Sequence, residues 1–381
     1  MKLLVLLAIA AVAHCQMAPL LRDREPIPGQ YIVMLKDGVN VDQFVSSLEL
    51  TALSHSVSMN IKYKYQTGLA LQFPDDNVDM LRELQGVKYV EQDGVVYADA
   101  VGSWGLDRID DTDARLDDTY LYTSDGTGVN VYVIDTGINY SHVDLEGRAE
   151  FFFDPLGGQN PPGKDCNGHG SHCSGTVGGA VYGVAKNCNL WACRTLSCSG
   201  SGSKSDSIAA LDKISSEGRK PGVVSMSLGG SVSQAQNDAV AKCYNAGFVV
   251  SVSAGNDNGN ACNKSPASAP EAITVGSTDN DDYRSSFSNY GTCVDIFAPG
   301  RSIVSIGYTT DTSTSTKSGT SMSCPHVSGA AARIFQELEE EGTSSPALVE
   351  SHMKTDAAIN SDVKNPGTGS PTLLLYMDPT H

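Results

Sequence analysis

At 381 residues, 40% of them hydrophobic and 18% charged, the chain has an ordinary globular composition and room for more than one folded unit, which argues against a disordered protein. Its formal net charge of −18 argues against nucleic acid as a partner, because phosphate binding needs a clustered positive surface. The same acidity weakens attraction to anionic membranes.

In chain order, Lys2 is followed by an apolar run from Leu3 to Ala13 and then by Ala13-His14-Cys15-Gln16. A charged start, a short apolar core and a small-residue exit predict a secretory signal peptide over residues 1–15, hence a secreted, extracellular protein. The run is short for a bilayer span, and no later segment approaches the roughly 18 apolar residues a span needs, so no membrane association is expected. Ten cysteines suit that compartment; nine remain after Cys15, an odd number that predicts at least one unpaired thiol. Asn139-Tyr140-Ser141 and Asn263-Lys264-Ser265 are glycosylation sequons.

Ile27 to Val96 reads as a small α+β unit. Strands are expected at Gln30–Leu35, Tyr65–Phe73 and Val87–Gln92, with helices at Val41–Leu50 and Asn77–Leu84 between them. A unit of about 70 residues is a marginal folder alone. From Trp104 the texture changes to glycine-rich loops and alternating strands and helices. Strands are expected at Val129–Ile134, Asn189–Arg194, Val223–Ser227, Phe248–Ser253 and Ala272–Gly276, with helices at Ser205–Ser216, Gln234–Ala246 and Val327–Leu338. Such alternation predicts an α/β fold, a parallel sheet covered by helices on both faces, with sites at the carboxyl ends of its strands. One more helix and a Pro/Gly-rich finish are expected after Thr343.

Three segments carry chemistry. Val131-Tyr132-Val133-Ile134-Asp135-Thr136-Gly137 is a buried-strand pattern ending in an acid. An aspartate at a strand end is by itself most often a turn or cap residue, although keeping a desolvated carboxylate suggests a role. In Asp165-Cys166-Asn167-Gly168-His169-Gly170-Ser171-His172-Cys173, glycines leave the His169 imidazole room to approach another side chain, while two cysteines and two histidines this close also resemble metal ligands. Ser318-Gly319-Thr320-Ser321-Met322-Ser323-Cys324-Pro325-His326 places Ser321 just ahead of the expected helix at Val327, where a developing negative charge is favoured and where an isolated serine would simply be a cap.

Taken together, Val133-Ile134-Asp135-Thr136-Gly137, Gly168-His169-Gly170-Ser171-His172 and Gly319-Thr320-Ser321-Met322 resemble the three signature blocks of subtilisin-like serine proteases, in that family's Asp, His, Ser order. Tyr182-Gly183-Val184-Ala185-Lys186, Ser227-Leu228-Gly229-Gly230, Ser253-Ala254-Gly255-Asn256, Ser265-Pro266-Ala267-Ser268 and Ser285-Ser286-Phe287-Ser288-Asn289-Tyr290-Gly291 resemble the proteinase K branch. Residues 16–98 resemble the inhibitory propeptide of these proteases, and residues 99–381 their peptidase domain.

The resemblance implies a secreted, monomeric serine endopeptidase with Asp135, His169 and Ser321 as catalytic triad and Asn256, with the Ser321 N–H, as oxyanion donors. Its partners are peptide and protein substrates and its own propeptide, cut off autocatalytically near Val96 to Val101. Gly200 and Gly202 on one side and Ser227, Leu228 and Gly229 on the other would take substrate as an added β-strand. Ala254 and Gly255, with Ala261, lie near the expected main specificity pocket, which no acid marks, so a large apolar or aromatic residue before the cut bond is expected. The resemblance further implies Cys166–Cys198 and Cys262–Cys293 disulfides, a free thiol at Cys173, and structural Ca2+ held by the carbonyls of Pro270 and Ala272 with the side chain of Asp295. Cys188, Cys193, Cys243 and Cys324 stay unassigned. Small departures from the family text stand at Ser171, Ser174 and Ser323-Cys324. Rival readings are a catalytically silent homologue, an esterase or acyl transferase with the same nucleophile, and a zinc hydrolase.

Overall fold

A computed structural model describes residues 17–22, 26–65, 67–94, 102–112, 116–359 and 363–378. The expected signal segment through Cys15 and the expected cut region from Val96 to Val101 lie outside the described residues. The chain divides into two compact units, residues 1–97 and 98–381.

In the first unit a five-stranded sheet has the order Leu20–Leu21, Val87–Gly94, Pro26–Leu35, Gly68–Gln72, Asn60–Lys64. Helices Val41–Ser54 and Val78–Glu83 accompany it, and Val33, Leu48, Leu69, Leu71, Leu81 and Val90 are fully buried in its core. The strand expected at Tyr65–Phe73 forms as Gly68–Gln72, and Asn60–Lys64 was not expected. Asn60–Lys64 is an edge strand with four of its five residues exposed, so no buried alternation marks it.

The second unit is built on a nine-stranded sheet. Its strands are β1 Asn130–Asp135, β2 Ala149–Phe153, β3 Asn189–Arg194, β4 Gly222–Met226, β5 Phe248–Ser253, β6 Ala272–Thr278, β7 Ile296–Pro299, β8 Ala358–Ile359 and β9 Leu374–Leu375. They lie in the order β8-β9-β7-β6-β5-β4-β1-β3-β2, parallel throughout except for β8 against β9. The helices are α1 Trp104–Asp110, α2 His169–Gly178, α3 Lys204–Glu217, α4 Gln234–Asn245, α5 Thr320–Glu340 and α6 Pro346–Thr355. Alternate residues of β1 feed two cores: Val131 and Val133 pack with Val177, Ala330 and Ala331 of α2 and α5, whereas Tyr132 and Ile134 pack with Leu211, Ile214 and Val240 of α3 and α4. Burial on both faces is why these strands read as unbroken apolar runs.

The sequence reading did not anticipate β2, β7, α1 or α2. It also started α5 too late, at Val327 rather than Thr320. Pro325 sits inside the first turns of α5. Having no N–H, it leaves the Ser321 carbonyl four residues back without its helical donor. Two side chains supply the missing bonds: Ser227 Oγ donates to that carbonyl at 2.9 Å and Cys173 Sγ at 3.4 Å.

Candidate active site

Asp135 ends β1 between β3 and β4, fully buried, and its carbonyl accepts the N–H groups of Thr195 at 2.9 Å and Leu196 at 3.1 Å. Its Oδ1 accepts the Thr136 N–H at 2.6 Å. His169 opens α2, brought to Asp135 by a close approach of backbone to backbone: a β-carbon on Gly170 would stand 2.2 Å from the Gly137 carbonyl oxygen. Gly168, at φ 97, makes the turn into the helix where a side chain would meet the Tyr308 ring. Buried Asp165 fastens this loop. Its Oδ1 accepts the Thr136 hydroxyl and the N–H groups of Asn167 and Gly168, and its Oδ2 accepts the N–H and hydroxyl of Ser171. Asp165 was quoted with the histidine block but given no role; its place two residues before an Asn-Gly turn was the available signal.

His169 Nδ1 lies 2.8 and 2.9 Å from the two Asp135 oxygens. Burial alone would depress the imidazolium, but the Asp135 carboxylate overrides it and holds His169 well above an ordinary histidine. Cys173, one turn on with Sγ 3.9 Å from His169 Nδ1, is pushed up by its own burial, so near neutral pH it is an uncharged thiol and the raising charge is that of Asp135. The zinc alternative loses its ligands here. Cys166 is bonded to Cys198, and His172 gives Nε2 to the Ile303 carbonyl at 3.0 Å and is pushed down by burial to about 4.

Ser321 is the second residue of α5, not a residue ahead of it, and so lies among the unpaired N–H groups of the first turn. Its hydroxyl donates to the Ser227 carbonyl at 3.2 Å, reciprocating the bond from Ser227 Oγ. Among the described residues no hydrogen bond joins Ser321 to His169; the Cys173 thiol touches both. Asn256 follows β5. Its Oδ1 accepts the Thr320 N–H at 2.9 Å and hydroxyl at 3.0 Å, which fixes the amide plane. A β-carbon placed on Gly319 would lie 3.5 Å from Asn256 Nδ2 and 3.6 Å from the Ser321 nitrogen, so these two groups face one small space beside Ser321.

A cleft of about 550 Å³ runs from His169 between two walls, Gly200 and Gly202 on one and Ser227, Leu228 and Gly229 on the other, with Lys204, Ser207 and Gln236 further out. Ala254 and Gly255 do not line it. Ala254 is fully buried and gives its carbonyl to Asn289 Nδ2 at 2.8 Å; Gly255, at φ 99, gives its carbonyl to the Asn289 N–H. Asn289, from the quoted Ser-Asn-Tyr-Gly segment, is thus a positioning residue that the sequence reading left without a role.

Cys166–Cys198 and Cys262–Cys293 are bonded, and Cys173, Cys188, Cys193, Cys243 and Cys324 are free and buried. Of the sequon asparagines, Asn139 is buried and Asn263 exposed. The calcium position beside Pro270 and Ala272 does not suit a metal ion: Asp295 Oδ2 accepts the Thr274 N–H at 2.9 Å, and Oδ1 accepts the Lys354 ammonium at 3.0 Å.

Comparison with known proteins now adds to this geometry. The Subtilase family model matches residues 126–372, and the Peptidase inhibitor I9 model matches residues 30–99. The chain is a subtilase. It is 45% identical to an extracellular serine proteinase of Thermus sp. strain Rt41A over 96% of this chain and 93% of that one. It is 40% identical to a cuticle-degrading serine protease of Arthrobotrys oligospora over 92% and 90%. A cold adapted subtilisin-like serine proteinase of solved structure is 44% identical, with a TM-score of 0.68 over 73% of this chain and 98% of that one. The subtilase therefore has an I9 prodomain ahead of its peptidase domain, and no described helix is long and apolar enough to cross a membrane.

Proposed function

We propose that this subtilase is a secreted serine endopeptidase that matures by cutting off its own prodomain, with Asp135, His169 and Ser321 as triad. The observation that carries the reading is His169 at 2.8 Å from the buried Asp135 carboxylate, beside a serine in the first turn of α5. Ser321 Oγ attacks the substrate carbonyl as its proton passes to His169 Nε2, and Asp135 holds the imidazole with Nδ1 protonated and stabilises the cation that forms. For the attack the serine hydroxyl turns from the Ser227 carbonyl toward His169. Negative charge on the former carbonyl oxygen is met by Asn256 Nδ2 and the Ser321 N–H. Collapse breaks the C–N bond as His169 returns the proton to the leaving amine, and water then hydrolyses the acyl-enzyme by the same route.

Substrate lies as a strand between the two walls, whose glycines admit a peptide backbone. An apolar or aromatic residue is taken before the cut bond, because Ala254, Gly255 and Ala261, with no acid among them, mark the expected main specificity pocket. A calcium ion suits a different place from Asp295. Oxygens of Asp107, Asp111 and Asp117 lie within 4.8 Å of one another, and Asp110 Oδ1 beside them is buried without a partner among the described residues. A bound ion would neutralise that acidic turn. The test is expression of the full chain and Ser321→Ala in a secreting host. Only the unmodified chain should shorten by about 80 residues beyond the signal segment and digest an unfolded protein. Equal size and equal inactivity of both would sink the proposal.

A further inference from the structure

Asp295 is half-withdrawn from solvent at the entry to β7, tied at both ends to Thr274 of β6: its N–H donates to the Thr274 carbonyl at 2.9 Å and its Oδ2 accepts the Thr274 N–H at 2.9 Å. A carboxylate so placed needs a counter-cation. The resemblance to proteinase K relatives implied calcium, with the carbonyls of Pro270 and Ala272 completing the donors. This chain puts an ammonium group there. Lys354, in the last turn of α6, donates to Asp295 Oδ1 at 3.0 Å and to Glu350 Oε1 at 2.7 Å, one helical turn back. A divalent ion would have to share that space with a positive charge or displace Lys354 from Asp295.

We propose that Lys354 is the resident cation of this position, holding the entry to β6 and β7 without metal. Two carboxylates face one ammonium group, so removing the lysine leaves two acids close together, oxygen donors of the kind calcium takes. The consequence reaches the site through β6. Val275, next to Thr274, pairs with Ser253 of β5 and accepts the Ala254 N–H at 3.0 Å, two residues before Asn256. Metal depletion therefore leaves this side of the oxyanion donors in place.

The test counts calcium rather than activity, so it stands apart from the catalytic reading. Full-length protein carrying Ser321→Ala, to prevent self-digestion, is dialysed against radioactive calcium. Asp295→Asn should leave the number of ions bound per chain unchanged. Lys354→Ala should bind one more, and the Lys354→Ala/Asp295→Asn double variant should lose it again. The inference is overturned if Asp295→Asn lowers the count, since Asp295 would then hold calcium beside the lysine. It is equally overturned if Lys354→Ala binds no additional ion. Should Lys354→Ala fail to fold, Lys354→Met keeps the packed stem and replaces it, and the Asp295→Asn arm decides independently.

Discussion

Replacing Asp135 by asparagine tests the proposed base most directly, because the local bonds dictate how the new amide must sit. The Thr136 N–H, 2.6 Å from Oδ1, demands an acceptor, so the amide oxygen stays there and the NH2 takes the place of Oδ2, 2.9 Å from His169 Nδ1. An NH2 group cannot accept, so Nδ1 must become the acceptor and the ring proton moves to Nε2. The imidazole then presents a proton to Ser321 and cannot take one. Asp135 is fully buried, and no water can stand in. Equivalent carboxylate removals in serine proteases of two different folds cost about 10⁴- to 3 × 10⁴-fold, or roughly 5–6 kcal/mol of barrier, and the same is expected here. The assay is kcat and KM on a chromogenic peptide amide, with the variant's prodomain removed by added active enzyme. KM should stay near its original value. A loss below about tenfold would show that Asp135 does not set the ring tautomer, and the proposed mechanism would fail with it.

Four further outcomes are expected. Because Asp135 raises His169, and the base must be neutral, kcat/KM should fall as pH drops through a value above the ordinary ~6.5 of histidine, with activity retained on the alkaline side; pH profiles of the unmodified enzyme against Asp135→Asn would show the limb move down, and an unmoved limb counts against Asp135 as its cause. Asn256→Ala should reduce kcat by about 10²–10³-fold, as loss of such a donor does in a subtilisin. Gly319→Ala should reduce kcat too, since its methyl group would occupy the space between Asn256 Nδ2 and the Ser321 nitrogen, at a φ of 159 and ψ of 160 that glycine alone populates; kinetics with unchanged kcat for both would show that the space is not an oxyanion hole. Cys262 and Cys293 are 31 residues apart, so a Cys262→Ser/Cys293→Ser variant in a Ser321→Ala background should lose about 3–4 kcal/mol in denaturant unfolding, and an unchanged midpoint would contradict the crosslink.

Much of the frame was legible because a parallel sheet buried on both faces writes itself as apolar runs. Asn189–Arg194 and Phe248–Ser253 form within the bounds expected, and α3 and α4, each with one wet face, differ from expectation by a residue or two. The segments missed lack such patterns. β2 lies at the sheet edge with Glu150 and Phe151 exposed, and β8 and β9 have two residues each. α2 is Gly- and Ser-rich, and every one of its residues after His169 is buried, so no polar stripe announces it. Of the site, the reacting groups were visible as motifs. The groups that aim them, Asp165 on Thr136, Asn289 and the Ser227–Ser321 exchange, depend on contacts across 29, 35 and 94 residues, which no local spacing records.

α5 shows why that hidden part matters. A helix that crosses beneath the sheet must come close to it, and its inner residues are small: Ser323, Cys324, Ser328, Gly329 and Ala330 are all fully buried. A β-carbon on Gly329 would stand 2.6 Å from the Val184 side chain. Polar atoms carried into that interface need partners, and those of Ser328 and Cys324 find them on the sheet. Ser328 Oγ donates to Ser225 Oγ at 2.9 Å and Cys324 Sγ to the Ser251 carbonyl at 3.4 Å, joining α5 to β4 and β5. Those strands lead directly to Ser227 and Asn256. The same few bonds that seat the helix therefore fix where the nucleophile and its oxyanion donor stand relative to each other, and Pro325, by freeing the Ser321 carbonyl, adds Ser227 and Cys173 to the set. Disrupting this layer should lower kcat, and it should disturb the cleft wall at Ser227 and Leu228, which follow β4, more than the wall at Gly200 and Gly202, which another segment carries.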